Sequence, residues 1–307
     1  MSARFSRLCL IGLGLIGSSI ARAVREKDLA GTIVAVDASE FVRARVRELG
    51  LADEITDSPQ AGVSGADGVI LCVPVGANAA VGAAIGPCLK PGAIVSDVGS
   101  VKAAVVRDVA PHLPANVHLV PAHPVAGTEF SGPDAGFASL FTNRWCILTP
   151  PEGQDEVAVA KIRAFWEAIG SNVEVMTPQH HDLVLAITSH VPHLIAYNIV
   201  RTADDLETVT EGEVIKFSAG GFRDFTRIAA SDPTMWRDVF LHNREAVLEM
   251  VARFSEDLAQ LARMVRWGDG DGLHALFTRT RAIRKSIIAS GQETAAPDFG
   301  RSGPPKS

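Results

Sequence analysis

Short apolar runs alternate with helix-spaced stretches through the first half of the chain, and helical spacing alone follows. Runs rich in Val, Ile and Leu at 7–12, 32–36, 68–73, 93–97, 117–121 and 145–149 predict strands. Between them, apolar residues recur every three or four positions over 15–26, 39–49, 77–86 and 102–110, which predicts helices. A helix over 155–169 and a last strand over 172–176 complete the pattern. Strands alternating with helices predict an α/β unit with a doubly wound parallel sheet. It is expected to close near Thr177-Pro178, so that residues 1–178 form a first domain.

Beyond Pro178 the strand signals stop. His180 to Arg201 reads as one apolar-rich helix, interrupted at Pro192, where the ring should kink it. Asp232 reads as an N-cap with Pro233 in the first helical position. From there an apolar stripe through Trp236, Val247, Phe254, Leu261 and Val265 predicts one helix of about 30 residues. Gly268 to Gly272 is a turn, and 273–289 a final helix. Residues 179–290 therefore read as an all-helical substrate and dimerisation domain. Its stripe runs longer than one small domain can cover, so a homodimer is expected. Pro, Gly, Ser and charge dominate the tail, and 291–307 is expected to be disordered.

Composition changes this picture little. A chain of 307 residues allows about two domains. A net charge of −6 argues against nucleic acid or an anionic membrane as the main partner. Cys9, Cys72, Cys88 and Cys146 are scattered without metal spacing, which reads as free thiols in a reducing compartment. The first strand begins almost at Met1, leaving no room for a signal peptide, and no apolar segment is expected to reach membrane-spanning length without a charge or glycine break. A cytoplasmic location and a small-molecule substrate are expected.

The sharpest local signal is Gly12-Leu13-Gly14-Leu15-Ile16-Gly17, between the first strand and the first helix. Gly12 permits the tight turn, Gly14 lets backbone approach a pyrophosphate, and Gly17 lets helix and strand pack closely. The amides of Leu15 and Ile16 open the helix and present its partial positive charge to phosphate. Asp37 ends the second strand 20 residues past Gly17, where a carboxylate can accept from a ribose hydroxyl. The unit is thus a Rossmann-type dinucleotide domain. Asp37 would repel a 2′-phosphate, so the cofactor is expected to be NAD; Arg43 and Arg45 nearby weaken that preference. Val73 and Pro74, at the end of the 68–73 run, are placed where a loop crosses the cofactor.

Two strand-end segments carry unusual polar residues: Asp97-Val98-Gly99-Ser100-Val101-Lys102 and His123-Pro124-Val125-Ala126-Gly127-Thr128-Glu129. Ligands of open α/β sheets bind outside the carboxyl ends of strands. Ser100 and His123 should therefore face the nicotinamide, and a histidine there can take a hydroxyl proton while hydride leaves the same carbon. In the helical half, Ser189 and His193 stand four residues apart on one helix face. His180, His181, His190 and His193 lack the cysteine or acidic spacing of a metal site, so no metal is expected. In Gly220-Gly221-Phe222-Arg223-Asp224-Phe225-Thr226-Arg227-Ile228, the apolar residues should bury the segment. A buried arginine needs an anion, and a substrate carboxylate suits its planar fork.

Together these motifs resemble the prephenate/arogenate dehydrogenases of tyrosine biosynthesis. The resemblance spans about residues 6–290 and rests on GLGLIG at 12–17, DVGSVK at 97–102, HPVAGTE at 123–129, SHVPH at 189–193 and GGFRDFTRIAASDPTMW at 220–236. It implies NAD-dependent oxidation and decarboxylation of a cyclohexadienol by a dimer. It further implies that His123 contacts the ring hydroxyl, Ser100 orients His123 and the nicotinamide, and Arg227 binds a carboxylate. Ser189 and His193 would line the substrate pocket, with Thr128 and Arg223 as further candidates. Two alternatives remain open: a related two-domain hydroxy-acid or imine dehydrogenase, for which Lys216 would have to serve as the catalytic lysine, or a nonenzymatic NAD sensor.

Overall fold

The computed structural model describes residues 3–128, 130–207 and 219–289. By compactness the chain divides into a unit ending at Leu248 and a second beginning at Glu249.

The first unit is built on a six-stranded, all-parallel sheet. Its strands are β1 (Phe5–Ile11), β2 (Ala30–Val36), β3 (Glu54–Thr56), β4 (Gly68–Leu71), β5 (Ile94–Asp97) and β6 (His118–Leu119). Their spatial order is β3-β2-β1-β4-β5-β6. The order reverses between β1 and β4, so a crevice opens beyond the carboxyl ends of those two strands. The covering helices are α1 (Leu15–Glu26), α2 (Glu40–Glu48), α3 (Pro59–Val63), α4 (Asn78–Ile85) and α5 (Lys102–Val109). Ser39 and Ser58 cap α2 and α3 by accepting from Val42 and Ala61 N–H. β3 and α3 were not anticipated: three and five residues are too short for periodicity to register.

One correction concerns the run 117–121. Only His118–Leu119 of it form a strand, β6, and a separate strand, β7 (Ala122–Pro124), follows. Pro121 has no N–H to continue the ladder, and after it the chain joins a second sheet. There β7 pairs antiparallel with β8 (Trp145–Leu148), and β8 pairs parallel with β9 (Asn172–Val175). The single parallel sheet of the expectation is therefore two sheets. Between β8 and β9 lies α6 (Glu156–Ala168), whose Phe165 and Trp166 pack with Phe5 and Phe141 in the core.

The helical part begins with α7 (Pro178–Leu185), capped by Thr177, and continues through a π-helical turn, Ala186–His190, into α8 (Val191–Glu207). The π turn ends two residues before Pro192, where a missing N–H and a crowded carbonyl would otherwise break the ladder. One expectation fails here. Pro178–Leu206 is a 29-residue helix in which an 18-residue stretch has mean hydropathy 1.5, long and apolar enough to cross a membrane by composition. Its first part, α7, packs on α5 and carries the buried polar residues His181 and Asp182.

Next come α9 (Gly220–Thr226), a 3-10 turn at Arg227–Ala230, and α10 (Pro233–His242), capped by Asp232. The single long helix expected from Pro233 is interrupted at Asn243, whose φ −107° and ψ 33° leave the helical region. The buried Asn243 amide donates to the Asp182 carbonyl at 2.9 Å, a bond that fixes the break. Beyond it are α11 (Arg244–Trp267) and α12 (Gly270–Ala289), the latter starting three residues earlier than predicted. Within the second unit, Leu258, Val265, Trp267, Phe277 and Ile283 are all more than half exposed. The tail expected to be disordered and Lys216 lie outside the described residues.

Candidate active site

The turn after β1 has the geometry of a phosphate cradle. Gly12 has φ +96°, and a Cβ there would stand 2.6 Å from the Cys72 carbonyl oxygen. A Cβ on Gly17 would run into the Gly12 carbonyl, so both glycines are required by the fold itself. Gly14 differs: a Cβ there meets no protein atom within 4 Å, so its backbone faces open space. It is the N-cap of α1, and no side chain caps that helix end. The first amides, including those of Leu15 and Ile16, remain available to an anion. Asp37 holds the turn by accepting from Leu13 N–H at 2.9 Å and Ser39 N–H at 2.9 Å. Both neighbouring arginines are engaged. Arg43 donates to the Asp37 and Ala38 carbonyls, and Arg45 to Asp134 and Glu48. After β4, Pro74 opens a 3-10 turn at Val75–Ala77 on the other side of the crevice, next to Val73. These residues fit a dinucleotide.

Beyond β5 the polar motif 97–102 proves to be largely internal. Asp97 and Lys102 form an ion pair at 2.5 Å, with side-chain exposures of 1% and 0%. Asp97 also accepts from Gly99 and Ala122 N–H, and Lys102 donates to the Ala122 carbonyl at 2.7 Å. Burial pushes the Asp97 carboxyl up and the Lys102 ammonium down, and their mutual attraction opposes both shifts. The pair thus clamps β7 from both sides of the peptide just before His123.

His123 lies within β7, opposite Ile147 of β8, and not in a loop after a strand as expected. Its Nδ1 is 2.8 Å from His181 Nε2, and His181 Nδ1 is 2.8 Å from Asp182 Oδ1. Burial, then nearby His181, Lys102 and His190, hold the His123 pKa well below the ordinary histidine value. His181 is pushed down to about 2, chiefly by burial. Ser100 sits partly buried in the turn after β5, and among the described residues it makes no hydrogen bond to His123.

The helical residues approach from the other direction. His193 donates Nδ1–H to the Ser189 carbonyl at 2.8 Å, one turn back. Its ring lies on Trp236, centroids 3.6 Å apart and planes at 24°. Burial lowers the His193 pKa, and Arg227 is near enough to lower it further. Arg227 is half-buried at the start of the 3-10 turn, whereas Arg223, in α9, is exposed. The expected burial of this segment is not found: Phe225 is 46% exposed, and neither α9 nor the turn after it contains a buried residue. Thr128 is half-buried and accepts from Phe130 N–H.

The sequence reading assigns no site role to several polar residues that are buried here: His181, Asp182, His190 and Asn243. A signal was present for the first two. Pro178, His181, Asp182 and Leu185 form the buried stripe of α7, so two polar residues occupy apolar positions of an amphipathic helix. Their partners lie 58 and 80 residues away in sequence, out of reach of any local pattern.

A doubly wound sheet with an open glycine turn, and a buried neutral imidazole beyond β5, define an NAD-dependent oxidoreductase. Comparison with known proteins narrows the class. Residues 20–175 match the model for the prephenate dehydrogenase nucleotide-binding domain, and 177–279 that for the prephenate dehydrogenase dimerization domain. The two models meet beside the expected boundary at 178, whereas compactness groups α7–α10 with the sheet. Cyclohexadienyl dehydrogenase of Zymomonas mobilis is 44% identical over 283 residues, 92% of this chain and 96% of that protein. Prephenate dehydrogenase of Aquifex aeolicus, crystallised with hydroxyphenyl propionate and NAD+, matches with TM-score 0.86 and 33% identity, covering 92% of this chain and 98% of that one. Arogenate dehydrogenase of Synechocystis matches with TM-score 0.77 and 26% identity, covering 92% and 100%. The chain belongs to the prephenate dehydrogenase family.

Proposed function

We propose that this protein oxidises and decarboxylates prephenate, arogenate or both, giving 4-hydroxyphenylpyruvate or tyrosine with NADH and CO₂, as a homodimer in the cytoplasm. The observation that carries the reading is His123: buried, neutral, and tied at Nδ1, with Nε2 left to receive a proton. NAD, held by Gly12, Gly14, Gly17 and Asp37, supplies the hydride acceptor.

His123 Nε2 accepts the proton of the ring hydroxyl as the carbinol carbon is oxidised. The resulting dienone stands in conjugation with the carbon that bears the carboxylate. When the C–CO₂ bond breaks, its electron pair enters the ring and leaves a phenolate, which takes back the proton held on His123. Arg227 binds a substrate carboxylate by charge and fork geometry, beside His193. Ser189, Thr128 and Arg223 serve the substrate, and Ser100 and Val73–Pro74 serve the nicotinamide end. The exposed apolar residues of α11 and α12 support the dimer, since a patch of that kind is a contact surface in most proteins.

The test is NADH formation with each substrate, for the wild type and for His123→Asn. Turnover should require one of the two substrates, and the variant should lose roughly 10²–10⁴-fold in kcat with little change in binding. An enzyme indifferent to both substrates, or a variant with near-normal kcat, overturns the reading. A sensor reading has no use for such a base.

A further inference from the structure

We propose that His181, anchored by Asp182, is the positioning residue that holds His123 in the one tautomer able to accept a proton at Nε2. The proposal rests on His123 being the base, as read above.

The chain of hydrogen bonds admits a single proton arrangement. Asp182 is anchored across the fold: Oδ1 accepts from Lys102 N–H at 2.7 Å and Oδ2 from Ala103 N–H at 2.9 Å. It thereby caps the amino end of α5 from another helix, and its backbone carbonyl accepts from Asn243. An ionised carboxylate can only accept. His181 Nδ1, 2.8 Å from it, must therefore carry hydrogen. In a neutral ring Nε2 is then a lone pair, and it faces His123 Nδ1 at 2.8 Å. His123 Nδ1 must donate, which leaves its own Nε2 as the acceptor.

Direction follows from the only member that cannot donate, the carboxylate at the far end. Without His181, the buried His123 ring is free to place its hydrogen on Nε2 and cease to be a base. When His123 accepts a proton, the bond to His181 becomes charge-assisted and strengthens, so the support is greatest as the proton moves. Other charged or titratable groups facing the pair are Lys102 of α5, with its partner Asp97 of β5, His190 of the π turn, and the Cys146 thiol of β8, which meets the His123 backbone N–H.

His181→Gln and His181→Leu separate positioning from bulk. An amide oxygen at Gln can still accept from His123 Nδ1; leucine cannot. The leucine variant should lose about 10²-fold or more in kcat, with KM and NAD affinity close to wild type. The glutamine variant should recover at least about tenfold of that loss. Long-range ¹H–¹⁵N spectra of the ¹⁵N-histidine-labelled full chain, assigned with His123→Asn, should show His123 and His181 both as Nδ1–H tautomers. These spectra read the tautomer whether or not the substrate assignment is right, and they need no variant of His181. A wild-type His123 found as the Nε2–H form overturns the proposal. So does a leucine variant with normal kcat, or equal impairment in both variants, which would mark His181 as packing only.

Discussion

Lys102 reaches across from the start of α5 to Asp97 at the end of β5, and both side chains are sealed from solvent. Lys102 also donates to the Ala122 carbonyl and Asp97 accepts from the Ala122 N–H, so the pair holds both backbone groups of the residue before His123. The pair therefore locates the proposed base as well as holding the fold. Removing one partner of a buried ion pair typically costs about 3–5 kcal/mol, because the other charge is stranded. Lys102→Met should destabilise by that order in urea unfolding and lower kcat in the fraction that folds. Lys102→Met with Asp97→Asn should recover stability but not activity. A single variant with wild-type stability would show that the pair is dispensable.

Acid should destabilise this protein earlier than its surface charge implies. His123, His181 and His190 all have native pKa values below the ordinary histidine value of about 6.5, with His190 at about 4. Below pH about 6.5 the unfolded chain binds protons that the native state refuses, so stability falls as pH drops through that range. Each histidine contributes up to about 1.4 kcal/mol per pH unit. The raised Asp97 and Asp182 act in the opposite sense, since the native state holds their protons more readily. Unfolding free energies at about pH 7.5 and pH 5.5 should show the loss before that compensation is complete. A flat profile would mean the histidines are charged in the fold.

The three glycines of the first turn should separate by role. Gly17→Ala forces a Cβ into the Gly12 carbonyl and should cost about 1–3 kcal/mol of stability. Gly14→Ala meets no protein atom and has φ −72°, so stability should stay within about 0.5 kcal/mol. Its new methyl group would occupy the pyrophosphate's space, and NAD affinity should fall about tenfold or more. Calorimetric titration with NAD and thermal melts of the two variants read the difference.

Asp37 should set the preference for NAD. Arg43 and Arg45 are committed to carbonyls and carboxylates, so neither is positioned to greet a 2′-phosphate. Wild-type kcat/KM should favour NAD over NADP, and Asp37→Ser should narrow that ratio by roughly 10–100-fold. Equal values in the wild type would remove this role from Asp37.

Arg227 and Arg223 should behave differently despite lying one helical turn apart. Arg227→Ala should raise the substrate KM by roughly 30–10³-fold, with NAD affinity unchanged. Arg227→Lys should restore only part, because an ammonium lacks the fork. Arg223 is exposed on α9, and Arg223→Ala should have the smaller effect. The reverse order in KM would transfer the clamp to Arg223.

By itself the sequence determined the nucleotide half. Gly12, Gly14, Gly17 and Asp37 act through backbone conformation and short-range hydrogen bonds, so their spacing along the chain carries their meaning. The alternation of strands and helices, and the caps at Ser39, Ser58, Thr177 and Asp232, are local in the same way. Only the tertiary structure decided the surroundings of His123. The residues now against it or behind it come from β5, α5, α7 and the π turn, and burial is what forces them to pair. A buried polar group is defined by the partner it finds, and His181, Asp182 and Asn243 find theirs across 58 to 80 residues of chain. The break at Asn243 has the same origin: helical periodicity continues through it, and a long-range hydrogen bond overrules the local preference.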